Sequence, residues 1–437
     1  MKRIRSVLAV SAISMALVGI GAGPAMAQPV AEPAVPTTTT PPFTTPDTDS
    51  CPYAASPPPA IDLSEVPAPG STAPQPLPIP AEAVGGERLA ECGAVVPDGA
   101  PPLPADISAT GFVVADMDSG AVLAAKDPHG RYRPASTIKI LLALVALDEL
   151  NLSTQITATA EDAEAEGSAV GIGKNGVYTN LQLMQGLVMA SGNDAARALS
   201  TQLGGDAATV DKMNAKAAEL GALDTRTATP SGLDGPGMAS SAYDLALIFR
   251  AAMQNSTFAQ LISTPMVQFP GYPKDPAIPE DQDRPGFALS NDNQLLYNYE
   301  GALGGKTGYT DDARQTFVAG AERNGRRLVV TIMKGDVLPI RPWEQAARLL
   351  DYGFALGPNS TVGNLVEPQS VSAVTSTRAS EATPTLAQPP ATASGSSSRQ
   401  SEMQAQGDTV VRIAIGVIGA IVVIGLLWGA RRLSRNR

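Results

Sequence analysis

The sequence predicts an α/β fold of the α+β kind, an antiparallel sheet flanked by helices, on three observations. Two apolar hairpins stand far apart, the stretch between them is mostly helical, and an amphipathic helix follows the second hairpin. The first hairpin is "ATGFVVADMDSGAVLAAKD", two apolar strands around "DSG". Residues from about 137 to 255 read as mostly helical. The second hairpin, "QTFVAGAERNGRRLVVTIMKG", turns at Asn324-Gly325, the strongest short hairpin signal. "WEQAARLLDYGFAL" then carries apolar residues at helical spacing and closes the domain. No internal repeat is visible.

The 437 residues divide by composition. Residues 1–27 begin with basic residues, continue apolar and end at "PAMA", the layout of a secretory signal peptide. Residues 28–105 are a Pro/Ala/Thr-rich flank, expected to lie outside the cell and to lack the apolar surface that offsets ordering entropy. Residues 106–357 have ordinary globular composition and are long enough to bury a substantial core as one domain. Residues 358–409 read as a disordered linker. Residues 410–430 contain "IAIGVIGAIVVIGLLWGA", uncharged and about the ~20 residues needed to span a bilayer. Residues 431–437 carry four arginines, which favours a cytoplasmic tail. These ends imply a single-pass cell-membrane protein with its globular domain outside.

The two cysteines, Cys51 and Cys92, both lie in the flank; an oxidising compartment lets them pair, with free thiols or links to other chains as the alternatives. A net charge of −11 argues against nucleic acid or anionic lipid as partner.

"RPASTIKILLALVAL" sets Ser136 three residues before Lys139, at the head of an apolar run. On a helix the two share a face, one turn apart. Burial lowers a lysine pKa, and a lysine poised near neutrality can take a serine proton. Alone, Ser-x-x-Lys reads as a helix cap and a surface lysine. Two later pieces alter that reading: Ser191-Gly192-Asn193 at a helix start, 55 residues after Ser136, and Lys306-Thr307-Gly308 in a strand-like stretch, 115 residues after Ser191.

With "MDSGAVLAAKDPHGRYRPASTIKILLALVAL", "MQGLVMASGNDAARALS", "MNAKAAELGALDTRTATPSGLD" and "GGKTGYTDDARQTFVAGA", the chain resembles actinobacterial D-alanyl-D-alanine carboxypeptidases, low-molecular-mass penicillin-binding proteins, over about residues 107–357. The resemblance implies a β-lactamase/D,D-peptidase-like fold and removal of the terminal D-Ala from peptidoglycan stem pentapeptides through an acyl-enzyme. It implies a helical subdomain beside the sheet, β-lactams as covalent inhibitors and no cofactor or metal. It makes Ser136 the nucleophile and Lys139 the base, with Ser191 and Lys306 relaying a proton to the leaving D-Ala. Asn193 is expected on the substrate amide, Lys306 and Thr307 on its carboxylate, and the N–H groups of Ser136 and Tyr309 as oxyanion donors. Gly308 is expected to let substrate lie against its strand. Arg341 falls where related enzymes place an arginine near the carboxylate pocket. In place of the second domain and amphipathic anchor of many members, this chain has the linker and the span.

Other chemistries fare worse. The single histidine, His129, sits in "DPHGR" and reads as a solvated turn residue, so a Ser-His-Asp triad or a zinc peptidase lacks ligands and partners. "EDAEAEG" lacks the spacing of a calcium loop and reads as a solvated face. Glu219 does not fall in the Glu-x-x-Leu-Asn pattern of class A β-lactamases. A β-lactamase and a non-catalytic envelope scaffold are the remaining alternatives.

Overall fold

A computed structural model describes residues 43–357 and 359–368. The signal segment 1–27, the start of the flank, most of the linker, the span 410–430 and the tail 431–437 lie outside the described residues. Among the described residues no helix is long and apolar enough to cross a membrane.

The main sheet is antiparallel. Its strands are β1 (Ala94–Val95), β2 (Gly111–Asp116), β3 (Ala121–Lys126), and, late in the chain, β8 (Ala302–Thr310), β9 (Arg314–Arg323) and β10 (Arg326–Gly335). The order is β1-β3-β2-β10-β9-β8, and β11 (Gly363–Asn364) also pairs with β3. The hairpins predicted from "DSG" and Asn324-Gly325 are β2–β3 and β9–β10. They meet through β2 and β10, which aligns Val113 with Thr331 and Ala115 with Val329.

The helical part comprises α1 (Lys139–Glu149), α2 (Ala160–Ala163), α3 (Asn180–Met189), α4 (Asn193–Gln202), α5 (Asp206–Leu220), α6 (Ala242–Ala252) and α7 (Ser256–Ser263). Ribbons β4 (Gln155–Thr157) with β5 (Val177–Thr179), and β6 (Met266–Phe269) with β7 (Phe287–Ser290), edge this region. The short α8 (Leu295–Asn298) leads into β8, and α9 (Pro342–Ala355) follows β10.

Strand alternation divides the core. Val113, Ala115 and Val329 face α1 and α6 in one cluster. Val114, Leu123, Val330 and Ile332 meet Ala346, Leu349 and Leu350 of α9 in the other. α1 is apolar around its circumference, as a helix inside a domain must be. Residues 139–146 are all buried, and that run includes Lys139.

The flank departs from expectation. Residues 43–105 are folded onto the domain, and β1 and β11 carry the sheet beyond the expected 106–357 limits on both sides. A disulfide joins Cys51 to Cys92, with Cα atoms 5.1 Å apart. Prolines bring carbonyls without N–H groups, and the domain supplies the donors. The fully buried Arg131 donates to the carbonyls of Ala55 (3.0 Å), Leu77 and Pro78 (2.9 Å). Lys126 donates to the Pro46 carbonyl. Arg133 pairs with Glu65, and the Ile61 N–H donates to Asp312 (2.5 Å). Apolar burial alone underestimated this segment because its order comes from backbone carbonyls meeting buried cations, with a cross-link restricting the unfolded chain.

His129 is likewise no solvated turn residue. It is half-buried between Asp224 (Nδ1 to Oδ2, 2.7 Å) and the flank carbonyl of Val84 (Nε2 to O, 3.0 Å). A carbonyl only accepts, so Nε2 carries a proton, and the carboxylate favours a second on Nδ1. Burial works against the imidazolium, but the hydrogen bond and charge of Asp224 outweigh it and raise the His129 pKa above 6.5. Burial and the charge of Asp224 push the neighbouring Asp244 up to about 8. Both groups hold a proton more tightly folded than unfolded, so their contribution is full at low pH and is lost as pH rises through the folded values. Thermal stability should therefore fall as pH rises from the ordinary carboxylate range toward about 8, with the His129 share of the fall lying above pH 6.5. His129→Ala should cost about 1–3 kcal/mol at pH 6 and flatten the fall above pH 6.5, measured by calorimetry across pH. An unaltered slope would contradict this coupling.

Candidate active site

Ser136 does not begin an α-helix. It lies in a 3-10 turn, Ala135–Ile138, that feeds directly into α1. Ala135 holds a left-handed φ of +48° just before it, and Ser191 holds +60°. Such conformations cost of order 1–3 kcal/mol each and persist only where packing over-determines them. Here two glycines leave the room. A Cβ on Gly232 would stand 2.1 Å from the Ala135 carbonyl. A Cβ on Gly308 would stand 2.9 Å from Ser136 N and 3.0 Å from Thr137 N. Gly308 thus lets β8 close onto the backbone of the nucleophile turn, rather than serving only as a smooth surface for substrate. Thr316 of β9 adds a bond to the Pro134 carbonyl (2.8 Å).

Lys139 lies beneath that turn, fully buried. Its Nζ is 2.7 Å from Ser136 Oγ, 2.7 Å from Asn193 Oδ1 and 2.6 Å from the Ser231 carbonyl. The two carbonyl oxygens only accept, so two N–H bonds of Nζ are committed to them. A neutral amine then presents its lone pair to the Ser136 hydroxyl. Burial and the nearby Lys306 charge push the Lys139 pKa well below 10.5, against opposing pulls from Asp292 and Asp194. The electrostatics favour the form that can take the serine proton, and the three partners accommodate it.

Asn193, the first residue of α4, is held in turn. Its Nδ2 donates to the Glu166 carbonyl (2.5 Å) and its N–H to the Ser168 carbonyl (2.6 Å). One side-chain N–H and the carbonyl are therefore engaged within the protein, leaving a single N–H for a substrate amide. Asp194, which sequence reasoning passed over, is fully buried and accepts from the N–H groups of Val170, Gly171 and Ile172 at 2.8–3.1 Å. It ties down the loop that carries Ser168. An Asp in the first turn of a helix was the available signal.

Lys306 and Thr307 lie in β8 as expected. Lys306 is fully buried and donates to the Thr307 carbonyl (2.9 Å). Burial lowers its pKa, and Asp292 opposes the shift. Thr307 Oγ1 donates to Asp292 Oδ2 (3.0 Å). Tyr309, next along β8, is half exposed, and its hydroxyl binds Asp311 (2.7 Å). Ser191 is buried, and no protein hydrogen bond of its hydroxyl is found among the described residues. Arg341 is an exposed residue preceding α9; no hydrogen bond or ion pair links it to the motif residues. Ser231, a partner of Lys139, came within a stretch quoted for its resemblance but without a role of its own.

No carboxylate hydrogen-bonds Ser136 or Lys139 among the described residues. Glu219 pairs with Lys216 on the surface of α5 (2.8 Å). Glu164 and Glu166 are exposed in a cleft of about 400 Å³ that begins at Asn193. His129, Asp224 and Asp244 offer ligand atoms within 4.8 Å of one another. Arg131 and His129 already occupy the two oxygens of Asp224, which makes this an ion-pair cluster under the flank.

A family profile described as D-alanyl-D-alanine carboxypeptidase matches residues 98–337. The chain is 51% identical over 275 residues to the D-alanyl-D-alanine carboxypeptidase DacB2 of Mycobacterium tuberculosis, covering 62% of this chain and 90% of that protein. It is 31% identical to the D-alanyl-D-alanine carboxypeptidase DacF of Bacillus subtilis, of which it covers 61%. A crystal structure of a D-alanyl-D-alanine carboxypeptidase from M. tuberculosis superposes with a TM-score of 0.57 at 50% identity, over 62% of this chain and 99% of that one. A Streptomyces DD-transpeptidase gives 0.53 at 29% identity, over 59% and 100%.

Replacing Lys139 with alanine should leave a folded protein by near-UV circular dichroism and slow acylation of Ser136 by about 10²–10⁴. In the wild type the acylation rate should rise with pH as Lys139 loses its proton, and level off well below pH 10.5. A rate unaffected by the substitution would remove Lys139 from the chemistry.

Proposed function

Because the chain belongs to the D-alanyl-D-alanine carboxypeptidase family of penicillin-binding serine peptidases, we propose that Ser136, activated by Lys139, cleaves the terminal D-Ala from peptidoglycan stem pentapeptides. The observation that carries the assignment is Nζ of Lys139, with two carbonyl acceptors fixing its N–H bonds and Ser136 Oγ at 2.7 Å.

Ser136 Oγ attacks the carbonyl carbon of the penultimate D-Ala, and its proton passes to Lys139 Nζ. The oxygen that becomes negative is met by the N–H groups of Ser136 and Tyr309, from two segments that Gly308 keeps in contact. The C–N bond then breaks. The leaving amine takes the proton from Lys139, through the Ser191 hydroxyl, with the Lys306 charge nearby. Lys306 and Thr307 hold the terminal carboxylate, and the free N–H of Asn193 meets the amide of the donor peptide. Water then attacks the Ser136 ester, with Lys139 again accepting the proton; the bond between the acyl carbon and Ser136 Oγ breaks, Lys139 returns the proton to Ser136 Oγ, and the shortened peptide leaves. Arg341 is assigned to the rim of the carboxylate pocket by family resemblance alone.

β-Lactams enter the same path, but their leaving group stays tethered and obstructs water. Among the described residues no carboxylate bonds Ser136 or Lys139, so no second base can activate water from a direction that the tethered leaving group leaves open. Residues 1–27 and 410–430 support export and anchoring by the C-terminal segment, with the catalytic domain on the outer face of the cell membrane.

Intact-protein mass should show a penicilloyl adduct on wild-type protein that outlasts many turnovers of D-Ala release, and none on Ser136→Ala. Rapid penicillin hydrolysis without D-Ala release would reverse the reading. A chain ending near Gln400 should be soluble and active, while the full chain sediments with membranes and is cut by protease added to intact cells. A shortened chain that still sediments would exclude residues 410–430 as the anchor.

A further inference from the structure

Asp292 has a firmly built place beside the carboxylate-binding pair. Its own N–H donates to the Met189 carbonyl (2.8 Å) at the end of α3. The buried Asn291 donates from Nδ2 to the carbonyls of Ile262 (3.2 Å) and Thr264 (3.1 Å), and accepts from the Asn293 N–H (3.0 Å). Asn293 in turn accepts from Leu295 N (3.0 Å). The backbone on both sides of Asp292 is therefore pinned, and its carboxylate meets β8. Oδ2 accepts from Thr307 Oγ1 at 3.0 Å and stands 3.8 Å from Lys306 Nζ. Oδ1 is buried without a hydrogen-bond partner.

A substrate carboxylate needs these same donors. Thr307 has one hydroxyl proton, and Asp292 holds it. Lys306 gives one N–H to the Thr307 carbonyl and faces Asp292 across a gap too long for a hydrogen bond. We propose that Asp292 is a resident counter-ion of the terminal-carboxylate subsite, and that its charge sets how strongly the site takes a carboxylate-bearing ligand. The inference rests on the reading of Lys306 and Thr307 as that subsite.

Two carboxylates on one pair of donors repel, so an arriving anion must turn the Thr307 hydroxyl away from Asp292 and work against its charge. A neutral ligand meets no such opposition. The same charge faces the fully buried Lys306 cation at 3.8 Å. The effect extends to Lys139, whose charged neighbours are Lys306 on β8, Asp292 on the loop before α8, and Asp194 on α4. Asp292 favours protonated Lys139, so removing its charge eases deprotonation of the base.

The test uses benzylpenicillin and its methyl ester, which present the same ring with and without the carboxylate. Second-order acylation rates of both are measured at pH 6 on the purified chain, and the acid-to-ester ratio is compared between variants. Asp292→Asn keeps an acceptor for Thr307 and removes the charge. It should raise the acid-to-ester ratio several-fold and move the acid limb of the acylation profile to lower pH with both ligands, so that any gain the ester shows is the share owed to easier deprotonation of Lys139. An unaltered ratio, or equal loss with both ligands, would overturn the inference and leave Asp292 a structural residue. If Asp292→Asn does not fold, Asp292→Ser removes the same charge and is read by the same ratio. Lys306→Ala isolates the underlying reading: it should lower the ratio, and a ratio it leaves unaltered would refute the carboxylate subsite itself.

Discussion

A lysine amine held beneath a serine by two carbonyl oxygens is the constraint around which this protein is arranged. The acceptors come from distant parts of the chain, Asn193 at the start of α4 and Ser231 in the segment before α6. Each needs its own support. Asn193 leans on the loop that Asp194 organises. The Ser231 segment reaches the nucleophile turn only because Gly232 has no side chain to strike Ala135. Gly308 does the same for β8 on the other side of that turn. The left-handed conformations at Ala135 and Ser191 are the local expense of bringing these segments to one point. A lysine buried in an apolar helix would be costly as a lone cation. It is tolerated because its three oxygen partners satisfy the amine and because burial and a second buried lysine, Lys306, lower its affinity for a proton.

The flank gives this centre an outer wall. Glu65 pairs with Arg133, three residues before Ser136, and Ile61 binds Asp312, two residues past the end of β8. A segment fixed to both sides of the nucleophile turn helps hold it closed. The disulfide and His129 tie down the rest of that wall farther away.

Much of this was legible in the sequence. The two hairpins, the closing helix and all three motifs announced themselves through alternation, Asn-Gly turn chemistry and spacing. Ser136, Lys139 and Asn193 come together as expected, and Lys306 and Thr307 lie together on β8. The misses share a physical origin. The order of residues 43–105 depends on backbone carbonyls finding Arg131 and Lys126, a partnership that composition does not encode. His129 became an ionic residue only through Asp224, 95 positions away. Ser231 acts through its carbonyl, so its side chain gave no signal. Asp292 stands in "SNDNQ", which reads as a polar loop until β8 is placed against it.

The most direct measurement of the central claim is the titration of Lys139 itself, followed by NMR of lysine side chains carbon-13 labelled at Cε, with Lys139→Ala to assign the resonance. The account predicts a midpoint well below the ordinary 10.5 of lysine, with the neutral amine present at the pH where Ser136 is acylated. A Lys139 resonance that titrates near 10.5, or stays cationic across the range in which the enzyme acylates, would contradict it.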